Sequence, residues 1–207
     1  MWVLKLGGSL LKTEEDLTEI VKKLSDHGAG QLVIVPGGGI YADQARQLYE
    51  ALQLDEVTAH RLALRAMEQF GELLVSMDPR LHAATTIESI NNWLNHNQVP
   101  VWFPYDMTFD NPAIKASWEI TADSLSCWLA RQLQCENLVL LKASEPEEDN
   151  YSADYLSSFG LLDPAFKEMV IGAFVKPWWL YYKHLSAFFD VLDNKMSESL
   201  ELKRITG

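Results

Sequence analysis

The chain has 207 residues, 48% of them hydrophobic and 22% charged, and 29 acidic against 17 basic side chains give a formal charge of −12. This length suits one well-buried domain, 1–207, rather than a catalytic domain plus a regulatory one, and no apolar run reaches the roughly eighteen residues of a membrane span. The acidic excess argues against nucleic acid or a membrane surface as partner.

Residues 2–6 read as a strand, broken by Gly7-Gly8-Ser9, so no signal-peptide core is expected at this end. A helix is predicted over 14–26, then a strand over 32–35 that runs into Pro36-Gly37-Gly38-Gly39. Helical periodicity follows over 39–53, 56–76 and 86–95, a strand over 99–103, a helix over 122–134 and a strand over 137–142. The alternation predicts an α/β fold, a three-layer αβα sandwich with a mainly parallel central sheet. Glu145-Pro146-Glu147-Glu148-Asp149-Asn150 reads as a solvated loop, and Asp163-Pro164 as the N-cap and first turn of a helix. Segments 171–176 and 200–204 are candidate strands. The run Trp178-Trp179-Leu180-Tyr181-Tyr182 fits neither period and reads as core or as the interface of a homo-oligomer. Cys127 and Cys135 have neither zinc nor redox spacing, so buried reduced thiols in a cytoplasmic protein are expected.

The chemistry gathers at the two glycine clusters, Gly7-Gly8 and Gly37-Gly38-Gly39. Glycine lets a ligand approach the backbone, and a following helix N-terminus offers unpaired N–H groups and a positive dipole end. The clusters serve either as tight strand-to-helix turns or as two anion cradles, and their number favours the second. Lys5, between Leu4 and Leu6 on an apolar strand, adds a cation to the same mouth. The combination suggests phosphoryl transfer, although neither G-x-x-x-x-G-K-[ST] nor G-x-G-x-x-G occurs. In a parallel sheet, ligands sit beyond the carboxyl ends of the strands, where both loops and segment 119–124 emerge.

Lys5-Leu6-Gly7-Gly8-Ser9, Pro36-Gly37-Gly38-Gly39 and Glu119-Ile120-Thr121-Ala122-Asp123-Ser124, in this order, resemble the amino acid kinase superfamily. Within it, residues 59–69, 117–124 and Leu162-Asp163-Pro164-Ala165-Phe166 resemble the branch that phosphorylates 5-(aminomethyl)-3-furanmethanol phosphate in methanofuran biosynthesis, with its methylotroph relatives. The resemblance implies an ATP-dependent kinase using Mg2+, held chiefly by nucleotide phosphates and water, and a small anionic substrate. It implies that Lys5 stabilises the transferred group and that Asp123 orients the catalytic lysines. Gly7, Gly8, Ser9 and Thr121 would bind nucleotide phosphates, and Gly37, Gly38, Gly39, His60 and Trp118 the acceptor. The C-terminal part would form the nucleotide side.

Several residues keep two readings. Lys142, at a strand end, and Lys176 both qualify as the second cation, with Lys142 ahead because strand ends face the site. After Lys142 the chain reads Ala143-Ser144-Glu145, without the Thr-Asp and glycine turn common in the superfamily. Asp123 alone would also serve as a first-turn acid of its helix. His60, on a stripe with Val57, Leu64 and Met67, reads as a core histidine or a ligand contact, and Trp118 as packing or pocket wall. Arg61 and Arg65 are spaced to pair with Glu68 and Glu72. No general base stands beside these groups, which suits a phosphate acceptor that is already anionic. A kinase of another small acid or phosphate, or a binding or storage protein without turnover, are the alternatives.

Overall fold

Successive side chains of the buried strand β1 (Trp2–Leu6) point to opposite faces and sort the core into two layers. Val3 packs with one apolar cluster, and Leu4 and Leu6 with the other. β2 (Leu32–Pro36) and β5 (Asn137–Lys142) flank β1 in parallel, and their residues alternate in the same sense. With β3 (Leu81–Ala84), β4 (Val99–Trp102), β6 (Lys176–Tyr181) and β7 (Lys203–Arg204), they form a sheet of order β3-β4-β2-β1-β5-β6-β7. Only β7 runs antiparallel. The computed structural model describes residues 1–12, 17–195 and 199–207.

Helices cover both faces. α4 (Ile87–Asn95), α6 (Ala122–Gln132), α7 (Ala153–Ser158) and α8 (Phe166–Val170) bury side chains on the face of Val3, while α1 (Leu17–Gly28) and α9 (Leu185–Leu192) do so on the face of Leu4. α3 (Glu56–Met77) supplies both, through Leu64 and Met67 on one side and Phe70 and Leu74 on the other. The predicted three-layer αβα arrangement is therefore the observed one. From β1 the chain turns first toward β2 and later crosses back to β5, so the sheet's switch point, where α/β folds bind ligands, lies at the carboxyl end of β1.

Local signals set the boundaries. Asp55 caps α3 by accepting from Thr58 N at 2.9 Å, and Thr86 with Ser89 forms a capping box on α4. The start of the helix predicted over 14–26 lies outside the described residues. Strand β3, Leu81-His82-Ala83-Ala84, was not anticipated, and neither were α5 (Tyr105–Thr108), α7 and α9. The strand expected over 171–176 is displaced: Gly172, at φ +71°, turns the chain after α8, and β6 begins only at Lys176. The strand expected over 200–204 shrinks to Lys203–Arg204.

The aromatic run lies within β6 and the turn after it, with Trp179, Leu180 and Tyr182 buried in the core. That removes the reason for expecting an interface there. Exposed apolar side chains gather instead on α2 (Gly39–Leu52) and the start of α3, at Ile40, Leu48, Leu52 and Val57. Cys127 and Cys135 are free and buried, and burial pushes the Cys127 thiol up to about 12. No described helix is long and apolar enough to cross a membrane.

Candidate active site

Two lysines reach the same face of the sheet by parity. Val3 and Lys5 on β1, and Leu138, Leu140 and Lys142 on β5, occupy alternate positions facing α6. The β1–β5 register pairs Lys5 with Leu140, so Lys142 sits two residues further toward the carboxyl end. Asp123, in the first turn of α6, lies between them. Lys5 Nζ is 2.9 Å from Asp123 Oδ1, and Lys142 Nζ donates to Asp123 Oδ2 at 2.7 Å. All three side chains are nearly enclosed, at 10%, 11% and 6% exposure for Lys5, Lys142 and Asp123.

Burial would raise the Asp123 carboxyl, but Lys142 and Lys5 outweigh it and hold it at about 2. Burial draws the Lys142 ammonium below its ordinary value against the pull of Asp123, and Lys5 adds to the fall. Two enclosed cations share one carboxylate, an arrangement that favours an anion in the cleft. Lys176 has no part in it. It stands at the opposite end of its strand, exposed and paired with Glu136.

The glycine loops interlock to form one side of the cleft. A Cβ on Gly8 would lie 2.1 Å from Gly39 N, and one on Gly37 would lie 2.7 Å from Gly8 N. Both contacts are to backbone, so neither can be relieved by a rotamer change. Gly39 has φ +53° and opens α2, whose N-terminus faces the cleft through Gly38, Gly39 and Ala42. The first cluster differs from expectation: Gly8–Lys12 is a 3₁₀ turn, closed by Leu10 N donating to Gly7 O, rather than the start of a long helix. Gly8 and Ser9 line the cleft, whereas Gly7 spends its N–H on Leu141 O. Gly8→Ala is expected to cost about 1–3 kcal/mol by overpacking. Thermal unfolding should register this as a fall of several degrees, at about 2–4 °C per kcal/mol for a chain of this size. An unchanged Tm would show that the loops separate freely.

The cleft, about 410 Å³, extends from these loops past Thr121 and Trp118 on one side and Ala143, Ser144, Gly160 and Leu161 on the other. The Arg46 guanidinium lies 5.2 Å from the centre of the Trp118 ring, and Tyr49 packs against the same indole. Trp118 Nε1 is buried and has no hydrogen-bond partner among the described residues. His60 does not line the cleft, but it shares a face of α3 with Ala63 and Met67, which do. It is buried, and neither ring nitrogen meets a well-placed partner among the described residues. Burial lowers its pKa, with the Ser117 backbone pulling the other way. Arg65 pairs with Glu68 at 2.6 Å as spaced, whereas Arg61 lies over the Phe109 ring.

Asp163 and Leu161 are the residues the sequence reading missed. Asp163 does not cap its own helix. Its carboxylate accepts from Thr121 N, Thr121 Oγ1 and Ser124 N, at the start of α6. Leu161 O accepts from Lys142 Nζ at 2.7 Å. The only available signal was Leu162-Asp163-Pro164-Ala165-Phe166 itself, which suggests a local cap.

Residues 1–145 match the amino acid kinase family. The chain belongs to this family. Over 140 residues it is 26% identical to the [5-(aminomethyl)furan-3-yl]methyl phosphate kinase of Methanocaldococcus jannaschii, a match covering 68% of this chain and 64% of that protein. The fold is shared with the uridylate kinase of Archaeoglobus fulgidus, at TM-score 0.66 and 16% identity, over 92% of this chain and 96% of that one. It is shared also with a solved isopentenyl phosphate kinase, at TM-score 0.62 and 16% identity, over 100% of this chain and 99% of that one. The departure after β5 noted in the sequence has a local counterpart: Ala143 and Ser144, which stand in place of a Thr-Asp and glycine turn, line the cleft.

Proposed function

We propose that this chain is an ATP-dependent kinase of a small phosphate monoester, with [5-(aminomethyl)furan-3-yl]methyl phosphate as the acceptor and its diphosphate as the product. The observation that carries the reading is the Lys5–Asp123–Lys142 cluster beside the interlocked glycine loops. Joining two phosphates requires their repulsion to be screened and their reacting atoms aligned, more than it requires a base. In this reading an acceptor phosphate oxygen attacks the γ-phosphorus of ATP in line, ADP leaves, and no phosphoenzyme forms. Lys5 meets the transferred group. Lys142 faces the leaving phosphates, and Asp123 holds both ammonium groups in place.

Gly8 and Gly37 let the two loops pack backbone against backbone, which holds the start of α2 at the cleft, where a helix N-terminus suits a phosphate chain. Gly8 and Ser9 are assigned to the nucleotide phosphates, and Gly37 to Gly39 with Trp118 to the acceptor; Thr121 lines the cleft but spends both its N–H and its hydroxyl on Asp163. Magnesium, carried on nucleotide phosphates and water, would neutralise part of their charge. A single-domain, cytoplasmic and homo-oligomeric organisation belongs to the same proposal.

The test is ADP formation with the aminomethylfuran phosphate, UMP, isopentenyl phosphate and carbamate as acceptors. Preference for the furan phosphate supports the reading. Preference for another acceptor reassigns the substrate, and ADP formation with none of them favours a binding protein. Trp118→Phe is expected to raise KM for the acceptor severalfold while leaving kcat and the KM for ATP nearly unchanged, since it removes one buried N–H donor and keeps the ring. Equal effects on both substrates would place Trp118 elsewhere in the reaction.

A further inference from the structure

Asp163 reaches across about forty residues of sequence to the helix that carries Asp123. An α-helix begins with unpaired N–H groups, usually satisfied by its own N-cap side chain. Thr121, at the N-cap of α6, makes no such bond. Its hydroxyl donates to Asp163 Oδ1 instead, while Asp163 Oδ2 accepts from Thr121 N at 3.0 Å and Ser124 N at 2.9 Å. The same connection between α7 and α8 holds Lys142 through Leu161 O, and Ala165 N donates to Glu119 O. Gly160 and Leu161 in this stretch also line the cleft.

We propose that Asp163 is a positioning residue for phosphoryl transfer, and that the 160–165 connection clamps Asp123 and Lys142 into one fixed geometry. An ammonium has three donors. Two of those on Lys142 are used by Asp123 Oδ2 and Leu161 O, which leaves one for a phosphate oxygen. The clamp thereby fixes where that donor can act. Asp163 also adds negative charge to the cluster. The groups facing Lys142 are Asp123 from α6, Lys5 from β1, Asp163 from this connection and the Trp179 ring from β6. Burial and the proximity of Asp123 raise the Asp163 carboxyl, while its donors from Ser124 and Thr121 draw it down.

The proposal rests on the kinase reading for its kinetic arm only. Asp163→Ala removes both clamp and charge, whereas Asp163→Asn keeps an acceptor oxygen and loses the charge. The alanine variant should lose about a hundredfold in kcat per folded molecule, the effect of an ångström-scale misplacement, with KM for ATP and acceptor within about twofold. Asparagine should restore most of that loss. It should also move the alkaline limb of kcat to lower pH by about half a unit or more, because Lys142 has lost a nearby anion. A residue that only stabilised the fold would change Tm and the folded fraction but leave both kcat per folded molecule and the limb in place.

The second arm needs no turnover. NMR of ¹³Cε-labelled lysines, with the Lys142 signal assigned from its loss in Lys142→Gln, follows the same titration in wild type and Asp163→Asn. A downward shift in the variant supports the proposal even if no acceptor proves to be a substrate. An unshifted Lys142 titration, or an alanine variant with full kcat per folded molecule, overturns it.

Discussion

Lys5→Ala is expected to lower turnover by roughly a hundred- to a thousandfold, the effect of removing one preorganised donor worth about 2.7–4 kcal/mol to developing charge in a closed site. The fold should tolerate the change. Asp123 keeps Lys142 at 2.7 Å, and the repulsion between two enclosed ammonium groups disappears with Lys5. Tm is therefore expected to move by only a few degrees, so the loss belongs to the chemical step. Steady-state kinetics with a melting curve checks both halves. A folded variant with wild-type kcat would remove Lys5 from the mechanism.

Asp123→Asn should behave differently, because it takes the one anion from between two cations. Turnover should fall clearly and stability should fall too. Breaking a buried ion pair typically costs about 3–5 kcal/mol, unless Lys142, already drawn down by burial, sheds its proton. The pH dependence has a definite sign. The folded carboxyl titrates at about 2 against an ordinary 3.8, so it binds its proton more weakly in the folded state than in the unfolded one. The stability it supplies is complete above about pH 4 and disappears as pH falls toward 2. Asparagine should abolish that part of the acid transition, which urea unfolding between pH 2 and 5 would measure. In its proposed role Asp123 exchanges no proton, so the activity profile should drop without losing one limb. Near-normal activity would leave it as a helix-end acid and nothing more.

The central strands were legible because β1, β2 and β5 are short, mostly apolar runs, two of which end in glycine clusters that break any helix. β3 was not: Leu81-His82-Ala83-Ala84 contains no β-branched or aromatic residue and is a strand only because β4 pairs with it. β6 was displaced because its aromatic residues satisfy burial between β5 and β7, a tertiary demand without a local period. In the site, Lys5 and Asp123 were readable from motifs. Lys142 ranked ahead of Lys176 on the rule that a strand's carboxyl end faces the site, but its place on the face of Lys5 follows from the β1–β5 register, which is not legible locally. Asp163 was hidden because a carboxylate that caps a distant helix looks, in sequence, like one that caps its own.

The parity that brings Lys5 and Lys142 to one face separates two kinds of inheritance within the molecule. The charges proposed to carry the reaction are borne by the central sheet and by one clamped helix end, where a change in any neighbour disturbs the whole. The wall proposed to face the acceptor is borne by α2, α3 and the segment holding Trp118, where Arg46 and Leu48 are exposed. Such a molecule can exchange what it accepts while preserving how it reacts. Libraries meant to redirect it belong on α2 and around Trp118, with the strands left untouched.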